Sequence, residues 1–324
     1  MEVRYVDGNG VRTRDPKEPL GSTTGGFFWV DVTDWDTQVE MFLRGLGVHE
    51  LVLESCQQRN HVPTVHAYTD HLFVTTQSPL LGHAGHVHLL ELDQIIGREF
   101  LVTVHGPLNP VVDLREALVE TDGALRRIES GRFRPATPYE LSYAITSGVA
   151  RRQRGLINQV AEKLPGLEKY VMDSQLTNPE ELLERMFLIR HELITARTMA
   201  AQCCDVWARL AGLSRFTDET ARGYARDLAD QFERIRSIAD GESHFLFGVI
   251  ELYQTKVNTK MTVAMERLAV IAGVTLPITA IASVYGMNMI VSQHTHYLEL
   301  AIVLVVMMAI SFMLLRWARR QGWW

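Results

Sequence analysis

Hydrophobic and polar positions follow three different rhythms along this chain, and each predicts a different kind of element. In the first part, short apolar runs rich in β-branched and aromatic residues recur at about 27–32, 72–76, 87–96 and 100–104, with a helical pattern near 37–46. Residues 1–135 therefore read as a mixed α/β domain, closed by Pro135 and Pro138. Beyond them the period lengthens to that of helices, at about 139–174 and 179–210, and this pair fills residues 136–215. The break falls at Thr177-Asn178-Pro179, where Asn178 or Thr177 suits a helix N-cap and Glu180 and Glu181 occupy the first turn. A last long helix is predicted over residues 216–285, starting near Asp218, with Gly241 a point at which it could break. The third rhythm is unbroken apolarity. From Leu268 to Leu315 there is no Lys or Arg, and the only acidic residue is Glu299.

That final stretch holds two segments long enough to cross a bilayer, at about 268–285 and 297–315, separated by a short polar loop over 286–296. Lys256, Lys260 and Arg267 precede the first span, and Arg316, Arg319 and Arg320 open a basic tail over 316–324. The positive-inside bias then puts both ends in the cytoplasm and the loop outside, in a cell (plasma or inner) membrane crossed twice. Trp317, Trp323 and Trp324 fit interfacial anchors. The first twenty residues include Glu2, Arg4, Asp7, Arg12, Arg14 and Asp15 and form no apolar run, so no signal peptide is expected. Mean hydropathy over the whole chain is close to zero because a charged first four-fifths cancels the apolar end.

Charge and cysteine content narrow the function. A net charge of -6 leaves no basic stripe to neutralise phosphates, which excludes a nucleic-acid binder. Cys56, Cys203 and Cys204 have neither metal-ligand spacing nor the even count of a disulfide framework, and are read as buried and inert. No phosphate-binding G-x-x-x-x-G-K-[ST] loop is present. His191-Glu192 does not make H-E-x-x-H, because position 195 is Thr. The histidines at 83, 86 and 88 sit with Gly82 and Gly85 in a turn pattern, read as a solvated hairpin end. No catalytic constellation or covalent cofactor is expected.

The first span is unlike a plain anchor. It carries Gly273, Thr275, Thr279, Ser283 and several alanines, residue types that favour close helix packing in lipid, and Pro277 lies in its middle. Asn258, Thr262, Met265, Ala269, Ala272, Leu276, Thr279 and Ser283 recur at alternating steps of four and three, so they form one stripe on a helix. Alternating polar, small and apolar residues suit a water-containing pore lined by several copies; the spacing alone fits a helix–helix seam as well.

Tyr285-Gly286-Met287-Asn288 ends this span and precedes a short loop and a second span. In that setting it resembles the signature of CorA-type magnesium transporters. Thr262-Val-Ala-Met265-Glu-Arg-Leu268 is similar to the family's pore-entry pattern, Leu276-Pro277 to its apolar-Pro step, and Tyr224-Ala-Arg-Asp227-Leu-Ala-Asp230 to a stretch of its long helix. Trp29-Val-Asp31, Leu46-Gly-Val-His49-Glu50-Leu51, Tyr68 with Leu72-Phe73, and Phe100 to His105 resemble its cytoplasmic domain.

The resemblance implies an α+β cytoplasmic domain, long helices and a C-terminal membrane hairpin, assembled as a funnel-shaped homopentamer in the lipid bilayer. It implies a divalent-cation channel, with Mg²⁺ as substrate and regulator and Gly286, Met287 and Asn288 as the filter. The amide oxygen of Asn288 suits a hydrated Mg²⁺, which holds its octahedral water shell reluctantly. Met265, Leu268 and Leu276 would be apolar gates that dewet when closed. Asp227, then Asp230, are the candidate regulatory carboxylates. Two departures stand out. The loop lacks the family's usual acidic turn and carries His294 and His296, whose imidazoles suit Zn²⁺, Co²⁺ or Ni²⁺. Thr262 stands where the family prefers Asn, with Asn258 one turn earlier. A Zn²⁺, Co²⁺ or Ni²⁺ transporter on the same scaffold and a non-conducting membrane scaffold are the alternatives.

Overall fold

The computed structural model describes residues 1–16, 25–59, 62–82, 85–107, 109–173, 179–213, 219–286 and 297–320. They fall into two compact units, Met1–Gly248 and Val249–Trp324. The residues read from sequence as 1–135 and 136–215 lie together in the first unit.

The first unit opens with a hairpin that the sequence pattern did not announce, β1 (Glu2–Asp7) and β2 (Gly10–Arg14). A two-residue turn joins them. Asp7 and Gly10 are opposed in register, Gly10 takes a φ of 131°, and the Asp7 carboxylate accepts from the Asn9 amide at 2.7 Å. Strand β3 (Gly26–Val32) pairs antiparallel with β1, and its almost continuous apolar run fits burial on both faces. After helices α1 (Thr37–Gly45) and α2 (Glu50–Gln57) come β4 (Val65–Ala67), β5 (His71–Leu81), β6 (Val87–Gly97) and β7 (Phe100–His105).

The sheet is seven-stranded in the order β2-β1-β3-β7-β6-β5-β4, antiparallel except where β7 returns beside β3. Strand β5 continues past the predicted end at residue 76 and through Pro79, which opposes Leu89. The proline is tolerated because β4 covers only residues 72–74 of β5, so the missing N–H points to the unpaired side.

Two layers of helices cover the sheet. On one face Val39, Leu43, Val52 and Leu53 of α1 and α2 pack with Phe28, Val30, Val32, Phe73, Ile95, Val102 and Val104. The helices of the other face begin with α3 (Leu114–Ala117) and α4 (Val119–Glu129), followed by α5 (Pro138–Ala161), α6 (Leu164–Met172) and α7 (Pro179–Gly212). Pro138 is in the first turn of α5, after a Thr137 cap that accepts from the Glu140 amide.

Polar residues fix α5 on the sheet. Gln94 accepts from Ser142 at 2.6 Å and donates to Thr146 at 2.9 Å, and Gln153 donates to the Gln77 carbonyl at 2.9 Å. Helix α8 (Glu219–Gly286) is 68 residues long and runs through Gly241 without a break. Helix α9 (Tyr297–Arg320) continues past the predicted span end at 315 into the basic residues.

Candidate functional site

Within the second unit the described elements are the C-terminal part of α8 and the whole of α9, and both helices are long and apolar enough to cross a membrane. Each has one covered stripe. On α8 this comprises Glu266, Val270, Val274, Pro277, Ile278 and Ile281, buried or half-buried; on α9 it comprises Val303, Met307, Ile310, Ser311, Leu314 and Ala318. Both sets step by three and four, the signature of one packed helix face.

The sequence-derived stripe lies elsewhere. Asn258, Thr262, Met265, Ala269, Ala272, Leu276, Thr279 and Ser283 are all exposed, as is Leu268. At ~100° per residue their mean direction lies roughly 140° around the helix from the covered stripe. Leu276 is 67% exposed and Met265 53%. The packing of α8 within one chain thus leaves this face unused.

Backbone bonding shapes what the stripe offers. Thr262 donates to the Asn258 carbonyl at 3.0 Å and Thr279 to the Thr275 carbonyl at 2.9 Å. Each hydroxyl hydrogen is used internally, so the exposed oxygen remains an acceptor, the polarity that a hydrated cation needs. Pro277 has no N–H, so the carbonyl of Gly273 lacks its helical donor although the helix continues. Gly286 is the last residue of α8. Met287 and Asn288 of the predicted filter, and His294 and His296 of the loop, lie outside the described residues.

The two candidate regulatory carboxylates lie in the first unit, one turn apart on α8. Asp230 is exposed. Asp227 is half-buried and accepts from the Tyr143 hydroxyl at 2.7 Å and from the Gln231 amide at 2.6 Å, both at Oδ2. Tyr143 packs against Tyr224, with ring centroids 4.9 Å apart. Burial, and then the Asp227 carboxylate, push the Tyr143 phenol above its usual range, so it stays a donor at neutral pH.

Asp227 lines a cleft of about 560 Å³ between α5 and α8 that also receives Arg127, Arg151, Arg154 and Arg234. This cleft was not legible in the sequence, because its four arginines come from separate stretches and only Arg151 and Arg154 share a helical spacing. Among the described residues no group of three or more His, Cys, Asp or Glu side chains is placed to hold a metal ion. Asp227 and Asp230 thus belong to no such group among the described residues.

Cys56 and Cys203 are buried and Cys204 half-buried, and all three are free thiols. Burial pushes the Cys203 thiol up to about 11, which makes it unreactive. His88 stands in β6 opposite Leu80, beside a hairpin end where the Gly82 amide bonds the His86 carbonyl at 2.7 Å; His83 lies outside the described residues.

Comparison with known proteins agrees with this architecture. The family model described as CorA-like Mg²⁺ transporter protein matches residues 24–320. The putative metal ion transporter YfjQ of Bacillus subtilis is 23% identical over 319 residues, 95% of this chain and 93% of that protein. The cobalt/magnesium transport protein CorA of Thermotoga maritima is 22% identical over 317 residues, 96% of this chain and 85% of that protein. Among solved structures, the CorA magnesium transporter of Methanocaldococcus jannaschii superposes with a TM-score of 0.80 at 17% identity, covering 100% of this chain and 99% of that one. The chain belongs to the CorA-like Mg²⁺ transporter family, and is a divalent-cation transporter of that family rather than an enzyme.

Proposed function

We propose that this chain forms a Mg²⁺ channel in which the exposed stripe of α8, contributed by each of five copies, lines the ion path. The observation that carries this reading is the division of α8 in the second unit. One face is covered within the chain, while the face bearing Asn258, Thr262, Met265, Leu268, Ala272, Leu276, Thr279 and Ser283 is left for other copies. A lipid-facing role does not suit hydroxyl and amide groups at those positions. Acceptor oxygens of Thr262 and Thr279 would support a hydrated ion along the path, and Met265, Leu268 and Leu276 would close it by dewetting.

Selection is assigned to Gly286, Met287 and Asn288. A ring of uncharged amide oxygens binds metal-bound water without creating a trap too deep to leave. With both termini cytoplasmic, a divalent ion gains ~4.6 kcal/mol per 100 mV on moving inward, so uptake needs no nucleotide.

Closure follows when Mg²⁺ binds carboxylates on the cytoplasmic side, with Asp227 first and Asp230 second. The arginines around Asp227 disfavour a lone cation there. A regulatory ion therefore requires further carboxylates from a second copy, which makes its binding report the assembled closed state.

The test is Mg²⁺ and Zn²⁺ flux into proteoliposomes under an imposed inside-negative potential, comparing the parent with Asn288→Ala. Potential-driven Mg²⁺ entry lost in the variant supports the channel. Zn²⁺ entry without Mg²⁺ moves the reading to a zinc carrier, for which His294 and His296 are the candidate external ligands. Absence of both fluxes from intact oligomers leaves the membrane scaffold.

A further inference from the structure

The cleft beside Asp227 in the first unit is basic, and the transport reading gives its arginines no ligand of their own. Arg127, Arg151, Arg154 and Arg234 line the same cavity of about 560 Å³, with Asp227 as its acidic member. That volume lies within the range of small-molecule sites.

Several arginines of this helical layer are paired with carboxylates. Arg152 pairs with Glu116 and Glu120, Arg197 with Asp240, Arg222 with Glu219 and Arg236 with Glu233. Among the described residues Arg127, Arg151, Arg154 and Arg234 are exposed and form no ion pair, as holds also for Arg190 and Arg209 on α7, and Arg127 lies over the Phe133 ring, 4.9 Å from its centroid. Asp227 offsets only one of them, and its Oδ2 is held by Tyr143 and Gln231. The cleft therefore keeps an excess of about three positive charges, shown by four guanidinium groups against one carboxylate.

Guanidinium forks without a carboxylate partner match phosphate oxygens, to which arginine donates two parallel hydrogen bonds. The remainder of the lining is not that of a site for a bare inorganic ion. Phe133, Ile235 and Ile238 supply an aromatic and apolar wall beside the charged rim. Such a wall suits the organic part of a ligand, and the Phe133 ring offers a face to a cationic or planar group, as its contact with Arg127 illustrates.

From this arrangement we infer that the cleft between α5 and α8 is a binding site for a phosphate-bearing small organic anion of nucleotide type. The phosphates engage Arg151, Arg154 and Arg234, and the planar group lies against Phe133. The site is distinct in chemistry from the cation path, since it selects negative charge, and its occupation does not depend on transport.

The experiment is equilibrium dialysis of labelled ATP, without divalent metal and at fixed ionic strength, against the full-length protein in detergent. The parent and an Arg151→Ala/Arg154→Ala double variant are compared, with oligomer mass followed by light scattering. The expected result is saturable binding at one ligand per chain with a dissociation constant of about 1 mM or tighter, weakened roughly tenfold or more in the variant. Unlabelled pyrophosphate should compete, and sulfate at the same ionic strength should not. Three results overturn the inference. They are no saturable binding to intact oligomers, equal binding by parent and variant, and a change of oligomer mass in the variant with no ATP bound by the parent. The last would assign the arginines to acidic groups of a second copy. None of these results bears on Asn288-dependent flux.

Discussion

Replacing Tyr143 by Phe tests whether Asp227 is the carboxylate through which the metal closes the path. In the folded chain Asp227 Oδ2 receives the Tyr143 hydroxyl at 2.7 Å and the Gln231 amide at 2.6 Å. A cation that coordinates this oxygen must displace or share those donors. A hydrogen bond to a charged acceptor contributes about 1.5–3 kcal/mol when fully enclosed. Asp227 is half-buried, so water replaces part of the loss, and about 1 kcal/mol is a reasonable share for one donor. That corresponds to roughly a fivefold change in affinity.

The Phe ring keeps the contact with Tyr224, whose centroid is 4.9 Å away, so only the hydroxyl is removed. Tyr143→Phe should therefore lower the Mg²⁺ concentration that half-closes the path by roughly fivefold, whereas Asp227→Asn should remove most of the response. The assay is flux from proteoliposomes with Mg²⁺ buffered on the side of the N-terminal unit. An unchanged or raised half-closing concentration in Tyr143→Phe, with intact oligomers, would refute the argument, because the metal would then not compete with that donor.

Two further outcomes are expected. Leu276→Ser should raise the residual flux at saturating Mg²⁺ by roughly tenfold or more, since each leucine withdrawn from a closed apolar ring forfeits about 1.5–3 kcal/mol of burial; an unaltered closed-state flux would remove Leu276 from the gate. Asp93→Asn should flatten the loss of stability at rising pH. Burial and then Glu91 hold the Asp93 carboxyl well above its ordinary range, so between the unfolded and folded values the folded chain binds the extra proton and stability falls as pH rises. The variant should melt roughly 2–4 °C higher than the parent at pH 8 but not at pH 4, followed by the fluorescence of buried Trp29; identical pH slopes would contradict this.

Sequence reading reached the second unit more fully than the first. The two membrane-length helices and the stripe on α8 were legible because a bilayer admits few solutions. Polar residues there stand out against an apolar background, and a period of 3.5 residues has one structural meaning. In the first unit, β1 was overlooked because its alternation, Glu2-Val3-Arg4-Tyr5, is only four residues long and breaks at Val6. Arg4 is 7% exposed and lies 4.9 Å from the Trp29 ring centroid, an arrangement that local sequence does not reveal. Strand β5 was cut short because Pro79 reads as a breaker; it is accommodated only because β4 ends before reaching it. Gly241 was offered as a break for the same reason, and surrounding helix formers carried α8 through it.

What the sequence determined by itself is therefore the strongly periodic part: four strands of the first unit in outline, the long helices, which two can cross a membrane, and which face of α8 is chemically unusual. Tertiary structure alone decided which face of α8 is covered within the chain, since apolar Val270 and apolar Leu276 are equal candidates until packing buries one and exposes the other. It also decided the meeting of Tyr143 with Asp227, 84 positions apart, and the gathering of Arg127, Arg151, Arg154 and Arg234 around one cleft. The physical reason is the same in each case. Periodicity is a property of neighbours along the backbone, whereas pairing, burial and the local field depend on groups that only the fold brings within a few ångströms.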